Sequence, residues 1–288
     1  MSESANLLAA WIGRQATPQA LAWLDGQRAE LARDRSGKAL AAAFGAVSRH
    51  MGRAPLALDL CDLAMAEKAR PGWQPAGLSL HQAARLSLLL EPAIVSGPFA
   101  QQLRALATTA DLGELITIYK GLPLYPEPET LVPLATEGLR TSMRPVFEAV
   151  AHRNPFPAEH FPQSAWNQMV LKALFIDSPL SPIVGLDQRW NRDLAKILID
   201  YAHERWAAGR PVSPELWRGV GRFADAQALG DIVRVLASDS VTAQRAAALA
   251  LSESQDPAAA EALARRPDLA VAIATGGIDW NGMGNDTA

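Results

Sequence analysis

Hydrophobic residues recur at three- and four-residue spacing along most of the chain, whereas the two-residue alternation of a half-buried strand is absent from its sequence. A polar residue that can cap a helix precedes several of these apolar runs, at Thr17, Ser36 and Ser79. Two shorter helical runs follow at residues 112–119 and 129–136. The pattern therefore predicts an all-α protein with short connections.

From Asp225 onward, short Ala- and Leu-rich segments are separated by Asp, Ser and Pro. A hairpin of such helices buries its apolar face against neighbouring hairpins, as in HEAT-like solenoids. We therefore predict a HEAT/armadillo-like α-α superhelix of roughly 12–16 helices. The chain is expected to form one continuous helical domain with four parts, namely an N-terminal helical part (1–136), a central block (137–222), C-terminal HEAT-like helices (223–275) and a flexible tail (276–288).

The central block places polar side chains among apolar ones. On the helix predicted over residues 189–208, the apolar arc exceeds half of the circumference, so we expect protein around most of that helix. Arg205 falls in the middle of this arc, where an arginine must be paired with a carboxylate or must meet a group from outside. Asn167 lies in the apolar arc of the preceding helix, and a buried asparagine needs partners for its amide.

Arginine forks, amides and tryptophans of this region suit a binding pocket with a polar end and an aromatic end. The alternative is structural, with polar residues bonded to one another and to helix termini and tryptophans wedged between helices. Asp187 would then cap a helix over residues 187–208. The candidate pocket residues are Arg140, Asn154, Asn167, Lys172, Asp187, Asn191, Asp200, His203, Glu204, Arg205, Trp166 and Trp217.

Signatures of catalysis and of metal binding are weak. Asp200, His203 and Glu204 share one helix sector, but no second close histidine pair and no His-Glu-x-x-His string accompanies them, so we predict no metal and no cofactor. The sequence has no Gly-x-Ser-x-Gly elbow and no Walker loop, and Cys61 lies in an apolar string that indicates a core thiol. We therefore favour a protein without catalytic residues, with general acid–base work by Glu204 or His203 left open.

Composition and charge narrow the cellular setting. A net charge of -3 and a pI near 6.0 give no general attraction to nucleic acid. A single cysteine excludes an intramolecular disulfide and fits a reducing compartment. The sequence opens without a secretory signal pattern, and no run approaches the ~20 apolar residues of a membrane-spanning helix. We expect a cytoplasmic protein without a transmembrane segment, with peripheral contact at the inner membrane left open.

The central block contains four long and distinctive strings, RTSMRPVFEAVAHRNPFPAEHF, WNQMVLKALF, GLDQRWN and DYAHERWAAGRPVSPELWR. Two further strings, FGAVSRHMGRAPLAL and LPLYPEPETL, lie earlier in the chain. The four central strings resemble the EboA family of bacterial proteins, and the two earlier ones resemble it more weakly. The resemblance implies a gene cluster that also encodes a membrane prenyltransferase and sugar-phosphate or cyclitol enzymes, and a link to the movement of secondary-metabolite precursors out of the cytoplasm. It supplies no catalytic residues.

The sequence and this resemblance together predict a non-catalytic binding or scaffold component that supports traffic or export of a secondary-metabolite precursor. The expected ligand is an isoprenoid, cyclitol or phosphate compound, such as a prenylated cyclitol or a sugar phosphate. One alternative is an enzyme that acts on a cyclitol or sugar phosphate of the same pathway. Another is a protein adaptor that recruits a pathway enzyme to the membrane. The expected protein partners are pathway enzymes, including the membrane prenyltransferase. A binder predicts a closed pocket, and an adaptor predicts an exposed apolar groove.

Overall fold

The computed structural model describes residues 2–283, and within that range the chain is helical, without a β-strand. Eighteen α-helices and three short 3₁₀ segments form there, which confirms the all-α prediction. The helices outnumber the expected 12–16 because α6, α11 and α18 have only four or five residues, too few for an apolar period to reveal. Among the described residues, no helix has both the length and the apolar character needed to cross a bilayer.

The helices group into two compact units, Met1–Phe161 and Pro162–Ala288. The helices of the first unit are α1 (Glu3–Gln15), α2 (Pro18–Arg33), α3 (Gly37–His50), α4 (Leu60–Ala69), α5 (Leu80–Leu89), α6 (Pro92–Val95), α7 (Phe99–Thr109), α8 (Leu112–Lys120), α9 (Pro128–Arg140), α10 (Arg144–Ala151) and α11 (Phe156–His160). The helices of the second unit are α12 (Gln163–Phe175), α13 (Arg192–Ala207), α14 (Ala226–Leu236), α15 (Val241–Glu253), α16 (Pro257–Ala264), α17 (Pro267–Ala274) and α18 (Trp280–Met283). The 3₁₀ segments are Leu122–Leu124, Pro214–Gly219 and Gly221–Phe223.

The predicted caps begin the first helices. The Thr17 hydroxyl accepts a hydrogen bond from the Ala20 N–H at 3.2 Å, and the Ser36 hydroxyl accepts one from the Ala39 N–H at 3.2 Å. Each satisfies a backbone donor that the first helical turn leaves without an intrahelical partner.

The core of the first unit is organised around α5, which packs against α1, α3 and α8. Its buried face includes Arg85, whose guanidinium donates to the Glu114 carboxylate in α8 at 2.9 Å and to the Phe44 carbonyl in α3 at 3.2 Å. Helix α9 also packs closely on α8. Gly138 of α9 lies so near Tyr119 of α8 that a Cβ atom at this glycine would lie 2.6 Å from the tyrosine ring. These contacts set the position of α8, the helix on which the candidate site depends.

Helix α4 has the opposite orientation to the one that its apolar string indicates. The prediction that Cys61 is a core thiol is wrong, because its side chain is exposed, and Leu60 is 85% exposed. The inward face of α4 instead presents the Asp62 carboxylate, which accepts from Trp11 Nε1 at 2.9 Å and from Arg14 Nη2 at 2.6 Å. The hydrogen bond from Arg14 holds the pKa of Asp62 below its usual range. A polar anchor therefore orients this helix, at the cost of an apolar outer face.

The second unit is built around α15, whose residues Ala246 to Leu251 are all buried. This helix packs against α14 and α16 and against the 3₁₀ segment Pro214–Gly219. Of the segment expected to be a flexible tail, residues 276–283 are described, and residues 284–288 lie outside the described part of the chain. Trp280 in α18 is buried and donates through Nε1 to the Glu253 carboxylate at 2.6 Å.

Candidate functional site

An amide pair joins α12 to the start of α13. Asn167 Nδ2 donates to Asn191 Oδ1 at 3.3 Å, and Asn191 Nδ2 donates to Asn167 Oδ1 at 3.0 Å. Asn191 Oδ1 also accepts from the Leu194 N–H at 2.9 Å, so Asn191 is the N-cap of α13. The expectation that Asp187 caps this helix is wrong, because α13 begins at Arg192. The buried amide of Asn167 therefore has hydrogen-bond partners, and the two asparagines link α12 to α13.

Asp187 instead forms a bidentate pair with an arginine that the sequence analysis did not single out. Arg218 Nε donates to Asp187 Oδ1 at 3.0 Å and Arg218 Nη2 donates to Asp187 Oδ2 at 2.8 Å. The Arg218 side chain is buried, and Trp190 Nε1 lies 3.4 Å from the same carboxylate. A fork geometry of this kind fixes the loop before α13 against the Pro214–Gly219 segment.

Trp166 and Lys172 lie on α12 at different depths. Trp166 is fully buried, and the Arg189 guanidinium lies 4.6 Å from the centroid of its ring. Burial lowers the pKa of both Arg189 and Lys172. Trp166 therefore packs in the core of the second unit, as the structural alternative predicts.

The far end of α13 is more exposed than the sequence indicates. Only Leu194, Ala195, Leu198 and Ala202 are buried on this helix within the described chain, so the expectation of protein around most of it is wrong.

Arg205 is likewise not held by a carboxylate or placed in a core. It is half-buried, its Nε donates to the Pro211 carbonyl at 2.9 Å, and its guanidinium lies 6.0 Å from the Tyr201 ring centroid. The chain turns back after α13, which brings the Pro211 carbonyl within hydrogen-bonding distance of the Arg205 guanidinium.

His203 and Trp217 take part in a cluster at the same end of α13, whereas Asp200 and Glu204 are exposed. His203 Nε2 lies 2.7 Å from Asp231 Oδ2, and the Trp217 ring stacks on Trp206 with centroids 5.9 Å apart. Within residues 2–283, no group of three or more His, Cys, Asp or Glu side chains is arranged to hold a metal ion.

The remaining candidates, Arg140 and Asn154, lie in the first unit. Arg140 is the last residue of α9 and forms an exposed ion pair with Glu137 at 3.2 Å, which is of little energetic weight. Asn154 is 3% exposed and lines a cavity, which makes it the candidate that leads to a concave site.

This cavity has a volume of about 310 Å³ and lies beside α8 and α10. Its third wall is the non-helical segment 73–78. Gly72, just before this segment, and Gly77, within it, have left-handed backbones at φ +76° and +81°. Its volume lies at the lower end of the range for small-molecule pockets. The apolar part of the lining consists of Trp73, Ala76, Leu78, Ile116, Pro145 and Ala149. The polar part consists of Gln74, Lys120, Glu148, His152, Arg153 and Asn154.

Asn154 holds the polar end of this cavity together. Its Nδ2 donates to the Tyr119 carbonyl at 3.1 Å and to the Ala149 carbonyl at 3.1 Å, and its Oδ1 accepts from the Phe156 N–H at 3.1 Å. Tyr119 precedes the last residue of α8, and Ala149 lies in the last turn of α10. The side chain therefore fastens the ends of these two helices to each other.

Two cations of the lining are chain neighbours of residues in this hydrogen-bonded group, namely Lys120 after Tyr119 and Arg153 before Asn154. Lys120 is the last residue of α8 and is half-buried, and Arg153 is exposed with a left-handed backbone at φ +50°. Burial lowers the pKa of Lys120, and the positive charge of Arg153 lowers it further. Within the described chain, neither side chain forms a hydrogen bond or an ion pair. Neither cation is among the residues predicted from the sequence, although Arg153 lies beside Asn154 in a string that carries the family resemblance.

Residues 4–221 match the family model described as metabolite traffic protein EboA. This chain belongs to the EboA family. The matched range contains the whole cavity and the Asn167–Asn191 pair, and the match confirms the resemblance seen in the central strings. The description of the EboA family indicates a role in metabolite traffic. No curated protein and no solved structure matched the chain.

Proposed function

We propose that this EboA-family protein binds a small metabolite without transforming it and thereby supports its traffic, with the cavity beside α8 and α10 as the binding site. The observation that supports this most directly is a cavity of ligand size with an apolar wall at Trp73 and Ile116 and a polar end at Lys120 and Arg153. It lies within the part of the chain that matches the metabolite traffic family.

The volume of about 310 Å³ restricts what the cavity can enclose. A compact polar head group, such as that of a cyclitol or a sugar phosphate, suits it better than a complete isoprenoid chain, which would have to extend from the mouth. The polar candidates of the second unit serve packing in this proposal. Support comes from the mutual hydrogen bonds of Asn167 and Asn191 and from the fork between Asp187 and Arg218.

The experiment is native mass spectrometry of the full chain purified gently from its own host, with a denatured sample for comparison. The exposed residue Ala76 lines the cavity, so Ala76→Trp should fill it without disturbing a helix. The matched control is Ala105→Trp at an exposed alanine of α7, outside the lining. A small molecule that wild type and Ala105→Trp retain and Ala76→Trp loses supports the proposal. Equal retention by all three proteins contradicts it.

An enzyme is the second candidate, because a desolvated lysine beside another cation is a form of activated amine. Borohydride treatment of the protein with bound metabolite distinguishes the two candidates. A reduced adduct on Lys120 favours an enzyme that forms a Schiff base, and an unmodified Lys120 with intact metabolite favours binding alone.

A protein adaptor is the third candidate, and the outward apolar residues of α4 favour it. Leu60 is 85% exposed and Met65 is 40% exposed, which would suit a pathway enzyme such as the membrane prenyltransferase as partner. Leu60→Ser/Met65→Ser should abolish co-purification of such an enzyme from the host if the adaptor role is correct, and unchanged co-purification would exclude this surface.

We also propose that α14 to α17 stack as HEAT-like hairpins. Support comes from the packing of α15 on α14 and α16 and of α16 on α17. Deletion of α16 to α18 should then lower the hydrogen-exchange protection of α15 while that of α5 stays unchanged. Full protection of α15 after the deletion would contradict the stacking.

A further inference from the structure

We propose that the cavity beside α8 and α10 takes a phosphorylated ligand, whose dianionic phosphate group binds between Lys120 and Arg153. This inference rests on the proposed function and adds the chemical class of the ligand. It comes from the charges at the polar end of the cavity rather than from the cavity's size.

Two cations that form no ion pair among the described residues share the polar end of this cavity. Lys120 lies half-buried at the end of α8, and both its burial and, to a smaller extent, the charge of Arg153 lower its pKa. Among residues 2–283, neither cation has an ion-pair partner. A desolvated ammonium next to a second cation is unfavourable in the free protein, and an anion bound between the two would relieve both costs.

The backbone fixes the positions of these two cations. Asn154 ties the carbonyls of Tyr119 and Ala149 together, and Tyr119 and Asn154 are the chain neighbours of Lys120 and Arg153. Arg153 occupies a left-handed conformation that arginine rarely adopts, and such backbone strain concentrates at ligand sites. Asn154 is therefore a positioning residue, which holds the two cations near each other.

The combined charge of the two cations determines which type of anion fits between them. A phosphate monoester has a charge of about -1.5 to -2 and three acceptor oxygens, which matches an ammonium and a guanidinium together. A carboxylate would neutralise only one of them. The Glu148 carboxylate also lines the cavity, but it accepts from Arg144 Nε at 2.7 Å. The chain as a whole has a net charge of -3, so a local pair of cations is not part of a generally basic surface.

The test is titration calorimetry of the full chain with phenyl phosphate, benzoate and phenol, which share a ring and differ in charge. The variants are Lys120→Gln and Arg153→Gln, and the matched controls are Lys38→Gln and Arg33→Gln at exposed cations elsewhere. We expect phenyl phosphate to bind most tightly, and each cavity variant to weaken it by about tenfold or more, which is the loss of one charge-assisted hydrogen bond. The controls should bind like wild type, and Lys120→Arg should retain most of the affinity.

Two calorimetric results would overturn the inference. One is equal binding of phenyl phosphate by wild type and by the double variant Lys120→Gln/Arg153→Gln, and the other is tighter binding of benzoate than of phenyl phosphate. Loss of a fold is not a concern for Lys120→Gln, because it removes a repelled charge. If native mass spectrometry finds a neutral metabolite that Ala76→Trp excludes, the proposed function stands and the phosphate inference fails.

Discussion

Asn154→Ala should destabilise the first unit by about 3–4 kcal/mol. The change removes three buried hydrogen bonds, to the carbonyls of Tyr119 and Ala149 and from the Phe156 N–H. Both carbonyls lie in the last turns of their helices, and the C-cap Gly121 N–H also bonds to the Tyr119 carbonyl. Each buried group left without a partner costs about 1–3 kcal/mol. The middle of that range, taken for the Ala149 carbonyl and the Phe156 N–H, gives the expected loss.

The measurement is urea unfolding followed by far-ultraviolet circular dichroism, together with hydrogen exchange of peptides from α8 and α10. Gln101→Ala, at an exposed position of α7, is the matched control and should change stability by less than about 0.5 kcal/mol. Exchange in Asn154→Ala should rise at the end of α8 and after α10. A loss of less than about 1 kcal/mol, or exchange that rises uniformly over the whole chain, would refute the view that this side chain fastens the two helix ends.

Three further predictions follow from residues of the first unit. Lys120→Gln should raise the urea midpoint at about pH 7, because it removes a half-buried charge. The pKa of this lysine is lower in the folded state than in the unfolded state, so wild-type stability rises with pH between the two values and the stability difference between variant and wild type shrinks there. A stability difference that does not change with pH would contradict this reasoning. Asp62→Asn should lower the urea midpoint at about pH 7, because the hydrogen bond from Arg14 stabilises this carboxylate and lowers its pKa. That stabilisation is complete above the unfolded pKa of about 3.9 and is lost as the pH falls through the lower folded value. The urea midpoints of wild type and variant should therefore converge in acid. Gly138→Ala would place a Cβ atom 2.6 Å from the Tyr119 ring, and calorimetry should show a lower Tm, with overpacking costing about 1–3 kcal/mol; an unchanged Tm would show that α9 can shift freely.

Local features were predictable from the sequence. Thr17 and Ser36 begin helices because each satisfies a backbone donor nearby in the chain, and this requires no knowledge of tertiary structure. The demand of Asn167 for partners was also evident from its place in an apolar arc. The identity of the partner was not, because Asn191 belongs to the next helix.

Features set by distant contacts were not predictable. Cys61 is exposed because Asp62 must face Trp11, and no periodicity within α4 reveals that requirement. Lys120 and Arg153 each resemble an ordinary surface cation near a helix end. Only the packing of α8 against α10 brings them to one cavity. The candidate site therefore depends on tertiary contacts, and of its predicted residues only Asn154 lies at the cavity.

If the proposed function is correct, the wall formed by residues 73–78 has a consequence for the rate of ligand release. Two sides of the cavity are helices, whereas this side is a non-helical stretch with left-handed glycines at Gly72 and Gly77. Buried Trp73 and Leu78 anchor this stretch, whereas Gln74, Ala76 and Gly77 between them are exposed. Exposed irregular backbone opens at a lower free energy than a packed helix does. A protein that hands on its cargo needs a short residence time as well as selectivity, and residence time is a property of the dissociation path. In this architecture Lys120 and Arg153 would determine which metabolite is bound, and residues 73–78 would determine how long it stays bound.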